Sequence, residues 1–194
     1  MSLSQTDAQA QVALRTRQGS GARLDAKNAP HEDLLVARRG TAFFSRQLQF
    51  LTDGQLDGLA RDSEVSRRQI VAEVSYHARY LARAMEDFVA TPSILKPADF
   101  KMEVARAVTL PARALRSLFH HSEVHLNVVW RDLSNEDWAK EIPNFKSVDT
   151  TLPNLVKARA DIVWGAATDI APQYNPSEVP MFLDANWLGH IPRN

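Results

Sequence analysis

Apolar residues recur at three- and four-residue steps in four separate stretches of this 194-residue chain, and each stretch predicts an amphipathic helix. In the first, residues 30–51, Leu34, Ala37, Phe44, Leu48 and Leu51 share one face. Pro30 suits the opening turn, Glu32 and Asp33 favour the positive end of the helix dipole, and Gly40 offers room for another helix to come close. In the second, residues 67–89, the stripe is Ile70, Val74, His77, Ala78, Leu81, Met85 and Phe88, and Ser66 with Gln69 has the spacing of a capping box. The third, residues 111–133, repeats Leu115, Leu118, Ser122, Leu126, Val129 and Leu133. Its opposite face (Arg113, Arg116, His120, Glu123, Asn127, Arg131) reads as solvated. The fourth, residues 152–170, turns Leu152, Val156, Val163, Ala166, Ala167 and Ile170 inward.

The connections are not empty. A short helical turn is expected through Leu56 and Leu59, and a short helix from Pro97 to about Ala107 with Phe100 and Val104 inward. Ser134 and Asp137 start another that carries Trp138, and the segment EIPNFKSVDTTLP reads as loop. Near the end, a helix from Pro180 to Leu188 would cap the bundle with Met181, Phe182, Leu183, Trp187 and Leu188. No stretch has the two-residue period of a strand. Residues 1–29 are small and polar and read as a flexible arm, with a binding arm using Arg15, Arg17 and Arg23 as the competing view. Residues 30–194 then form one all-α domain, an antiparallel four-helix bundle with short connecting helices.

Composition narrows the partners. Lysine plus arginine equals aspartate plus glutamate at 23 each, so no broad field attracts nucleic acid or an anionic membrane. The absence of cysteine excludes disulfides, cysteine-ligated zinc and a thiol nucleophile, and fits a reducing compartment. The start, MSLSQTDAQAQVALRTRQ, lacks the apolar run of a signal peptide, and no stretch reaches the ~20 apolar residues of a membrane span. The expectation is a cytoplasmic protein with a small organic substrate, no nucleic-acid or membrane partner, and homodimer formation left open.

Candidate chemistry sits on the second helix. Glu73 lies on the apolar stripe between Ile70 and His77, and Glu73 and His77 are spaced i, i+4 and can touch. A buried, unpaired carboxylate costs several kcal/mol, so the position needs a partner or a use.

Three blocks carry a resemblance: ARRGTAFFSRQL, SRRQIVAEVSYHARYL, and LPARALRSLFHHSEVHLNVVWRDLSNEDW. They resemble the N-terminal domain of the maleylpyruvate isomerase family, the thiol-cofactor-dependent branch of the DinB-like metal-binding four-helix bundles. The likeness covers roughly residues 30–190. It implies a divalent metal, often zinc, held by one histidine of the second helix and a glutamate and a histidine of the last. The second-helix motif resembles A-H-V-x-Y-[NH]-A, and here Glu73 stands in place of the ligand histidine. The last-helix motif resembles R-E-V-W-x-H-A-x-D-L. Trp164 and Asp169 match it, but Ile162 replaces the ligand glutamate and Ala166 the ligand histidine. The usual G-W-[ST]-R start of the second helix reads Glu64-Val65-Ser66-Arg67. The altered ligands imply that the metal is lost.

Three readings of the remaining residues follow. Glu73 and His77 form an acid/base pair for isomerisation of a small organic substrate, in a pocket opened by Gly165 and Ala166 and bordered by Tyr80, His125, Ile162 and Trp164. Alternatively the pair is structural, the core has closed, and the scaffold serves a non-catalytic binding or interaction role. In the third, a rearranged metal site uses Glu73, His77 and His125. No cofactor is expected from the residues. A low-molecular-weight thiol, and with it a thiol transferase, is implied by the resemblance alone.

Overall fold

The computed structural model describes residues 24–61, 63–90, 97–145 and 148–172. Four long helices dominate: α1 (His31–Phe50), α3 (Arg67–Ala90), α5 (Ala112–Asp132) and α7 (Leu152–Ile170). Three short ones lie between them: α2 (Asp53–Asp57), α4 (Pro97–Val108) and α6 (Asn135–Trp138). The boundaries of the long helices fall within a residue of those read from the hydrophobic period.

Local signals explain the ends. Thr52 and Gln55 form a full capping box on α2, and Ser134 and Asp137 one on α6. Thr151 Oγ1 accepts the Asn154 N–H at 3.3 Å to start α7. At α3 only half the expected box forms. Ser66 Oγ accepts the Gln69 N–H at 3.2 Å, but the Gln69 amide turns forward and donates to Glu73.

The segment after α6 departs from expectation. Residues 141–145 and 148–151 pair as an antiparallel hairpin, β1 and β2, with Glu141 opposite Thr151 and Ile142 opposite Thr150. The register shifts between Ile142 and Phe145. A bulge at that point breaks the strict alternation by which a strand is recognised. The tail helix expected at 180–188 and most of the expected arm lie outside the described residues. The stretch just before α1 is docked: Ala29 is buried, and Asp25 takes a two-pronged hydrogen bond from Arg38, 2.6 Å on each arm.

In the core, α1 packs along α7, α3 packs along α5, and α3 also touches α7 and α4. Gly40 lets α1 and α7 approach closely, because a Cβ there would lie 2.6 Å from Val163 Cγ2 and 2.7 Å from the Trp164 ring. Trp164 then stacks on Phe43 at 5.3 Å, and its indole N–H donates to the Val36 carbonyl at 3.1 Å. Above this, Phe44 meets Phe119 of α5 at 4.8 Å. Among the described residues no helix is long and apolar enough to cross a membrane.

Candidate functional site

The chemical anomaly of the molecule is Arg159. It sits on α7 in line with Leu152, Val156 and Val163, and it is only 1% exposed. Its Nη1 donates to the Val74 carbonyl at 2.8 Å and faces His77 Nδ1 at 3.4 Å. Arginine can only donate, so the His77 ring accepts there on Nδ1. Its Nε and Nη2 have no hydrogen-bond partner. A buried charged donor left unpaired costs more than the roughly 1–3 kcal/mol of a neutral one, so such groups are rare without a reason.

Burial pulls the Arg159 guanidinium well below the usual arginine range, to about 9, opposed by the charge of Glu123. It therefore stays cationic at neutral pH. Glu123 in turn is pushed up by burial, partly offset by a 3.1 Å hydrogen bond with His120 and by the Arg159 charge.

Arg159 and Glu123 meet in a cleft of about 500 Å³ between α1 and α5. Thr41, Ser45 and Arg46 line its α1 side, and Asn127 and Trp130 its α5 side. Asn127 and Arg38 bind each other at 2.8 Å, and Arg38 is also paired with Asp25. Arg46 lies with its guanidinium 5.5 Å over the Phe43 ring. The buried Trp130 N–H has no acceptor. The face of α5 expected to be solvated is thus partly built in: Glu123 and Asn127 border the cleft, and Arg116 donates to the Leu48 and Leu51 carbonyls at 2.9 and 2.8 Å, closing the end of α1.

The residues singled out in the sequence are spread over several places. Glu73 is half-buried, and its carboxylate accepts from Gln69 Nε2 at 2.9 Å, so the i, i+4 contact that forms lies one turn before His77. Tyr80 lines a second cleft of about 390 Å³, between α3 and α4, with Tyr76, Arg83 and Glu103. Burial pushes the Tyr80 hydroxyl up, as it does that of Tyr76, which also donates to Glu103 at 3.0 Å. His125 Nε2 lies 2.9 Å from Glu86 on an outer face. Among the described residues no three histidine, aspartate or glutamate side chains gather as a metal cluster, so Glu73, His77 and His125 do not make the rearranged site. Ile162 is packed against the apolar core, and Trp164 and Ala166 lie inside it with Phe43, Val74 and Val163. Ala166 is 1% exposed within that cluster.

Arg159 was not among the residues read from the sequence as a site. Its signal was present: residues 152, 156, 159, 163, 166 and 170 are consecutive steps of one stripe, and 159 is the charged member.

No family model matches the chain, and no curated protein matches it. Two solved structures do. The crystal structure of a mycothiol-dependent maleylpyruvate isomerase aligns with a TM-score of 0.71 at 25% identity, over 81% of this chain. A histidine-to-alanine mutant of such an isomerase aligns with a TM-score of 0.72, also at 25% identity and over 81% of this chain. The chain spans 65% of the length of each.

Proposed function

We propose that this chain is an isomerase-like protein for a small organic substrate and that it works without the divalent metal implied by the family resemblance. The likeness in fold to the two maleylpyruvate isomerase structures is the observation that carries the isomerase class.

The donor set at the three implied ligand positions does not fit a divalent ion. Ile162 and Ala166 have no lone pair to offer, and the Glu73 carboxylate is shared with Gln69. A protein zinc site needs about three protein ligands. Proton transfer is the chemistry the remaining side chains support. His77 accepts on Nδ1 from Arg159, which places the proton of the neutral ring on Nε2. Glu73, one turn away on the same helix, supplies the carboxylate of the pair.

The test is solvent exchange. Pyruvate and maleylpyruvate are incubated with the protein in deuterium oxide, with chelator present, and followed by proton NMR. The expected result is exchange of the protons beside the carbonyl, or isomerisation, falling by roughly 10²–10⁴-fold in His77→Ala and Glu73→Gln. Activity that appears only with added zinc, or no reaction in any arm, overturns the metal-free reading. Turnover of maleylpyruvate only with mycothiol present moves the protein to the thiol-dependent class.

A further inference from the structure

We propose that the cleft between α1 and α5 is a binding site for a small organic carboxylate, with Arg159 as the residue that receives it. The argument rests on which donors of Arg159 are used. A guanidinium offers two parallel N–H bonds along the edge formed by Nε and Nη2, matched to the two oxygens of a carboxylate. Those are the two nitrogens without a partner, while Nη1 is spent on the Val74 carbonyl and His77. The side chain is therefore anchored at one corner and its carboxylate-reading edge is left over.

Three further features agree. The cleft, about 500 Å³, has room for a ligand of a few to a dozen non-hydrogen atoms. Arg46 adds a second positive charge at its rim. The buried Trp130 N–H, on the cleft's α5 side, is a third donor without an acceptor. Arg159 itself lines the cleft and is 1% exposed, so its unpartnered donors are screened from bulk water.

One group opposes an anion. Glu123 lines the same cleft, and its carboxylate is held by His120 at 3.1 Å rather than by Arg159. It guards the site: a ligand carboxylate takes the place on Arg159 that Glu123 leaves vacant, and Glu123 then selects against ligands carrying more negative charge. A guanidinium can fork onto phosphate as well as onto carboxylate, so the discrimination comes from Glu123: dianions such as phosphate meet more repulsion there than a monocarboxylate such as pyruvate. The site stands whether or not His77 catalyses a reaction, because binding alone reads it.

The test is calorimetric titration of the full chain with pyruvate, succinate, inorganic phosphate and methyl pyruvate, which lacks the carboxylate. One-to-one saturable binding of pyruvate is expected, with the dianion succinate weaker and methyl pyruvate silent. Arg159→Lys, which keeps the charge but loses the fork, should bind at least roughly tenfold more weakly. Glu123→Gln should bind more tightly than the unaltered chain. In the unaltered chain, the NMR signal of the Arg159 Nε–H should move downfield as carboxylate is added. Four results would overturn the site: no saturable carboxylate binding, equal binding by Arg159→Lys, phosphate preferred over both carboxylates, or an Nε–H signal that stays still. The last needs no variant, so it decides the matter if Arg159→Lys does not fold.

Discussion

A cation in the middle of an aliphatic stripe is a residue-scale fact with consequences around it. Replacing a buried charge with a well-packed apolar residue is often neutral or stabilising, so Arg159 costs stability for something other than packing. Two other ionic residues show the ordinary, stabilising use of charge. Asp25 is held well below the usual carboxylate range, first by the Arg38 hydrogen bond and then, against the cost of burial, by the charge of that guanidinium. A carboxyl depressed in the folded state adds stability above its unfolded value, near 4, and loses it as the pH falls through the folded value. Asp25→Asn should therefore cost about 1 kcal/mol at pH 7, a modest figure because Arg38 is 31% exposed. The difference should shrink toward zero near pH 2, measured as paired urea melts across that range. A gap of equal size at both pH values would show that the carboxylate charge is not what binds the chain before α1 to the bundle. At this scale the sequence was partly legible. The Glu73–His77 spacing was visible, but spacing alone does not show that Glu73 also accepts from Gln69 on its other side. Arg159 was visible too, once every step of the stripe is read and not only the apolar ones.

At the scale of elements, the helices were legible because each long one carries a full amphipathic period and its own start signal. The hairpin was not, since Pro143 and the bulge near it interrupt the alternation that marks a strand. The α1–α7 contact was foreshadowed by one residue. Gly40 weakens α1 as a helix former, by about 1 kcal/mol relative to alanine, yet no other residue fits between it and Val163. Gly40→Ala should gain that propensity and lose more through overpacking, which typically costs 1–3 kcal/mol. The net expectation is a lower melting temperature and a weakened Phe43–Trp164 stack, seen as a red shift of tryptophan emission. Gly54→Ala is the control: a Cβ there meets nothing within 4 Å, so it should be neutral or slightly stabilising. A stable Gly40→Ala protein would mean that α7 slides to make room, and that the close approach is incidental.

For the whole molecule, the fold resembles that of the isomerase structures, and the metal-free reading proposed above carries a consequence for stability. A bundle that relies on a metal gains free energy from it by mass action, about 2.7 kcal/mol when free metal stands at a hundred times the dissociation constant. Here the interior at Ala166 is instead completed by apolar packing with Phe43, Val74 and Val163, which needs no ion. Three exposed histidines among the described residues, His31, His120 and His121, and several surface carboxylates still offer weak, scattered ligands, so a trace of zinc in a preparation would not by itself signify a site. Thermal melts with excess chelator, without additive, and with a slight excess of zinc separate the cases. The expected outcome is one melting temperature in all three, and elemental analysis of the dialysed protein showing well under one zinc per chain. A melt raised by several degrees with one equivalent of zinc and lowered by chelator would mean that the chain assembles a metal site from other residues, and the proton-transfer reading of His77 would fall with it.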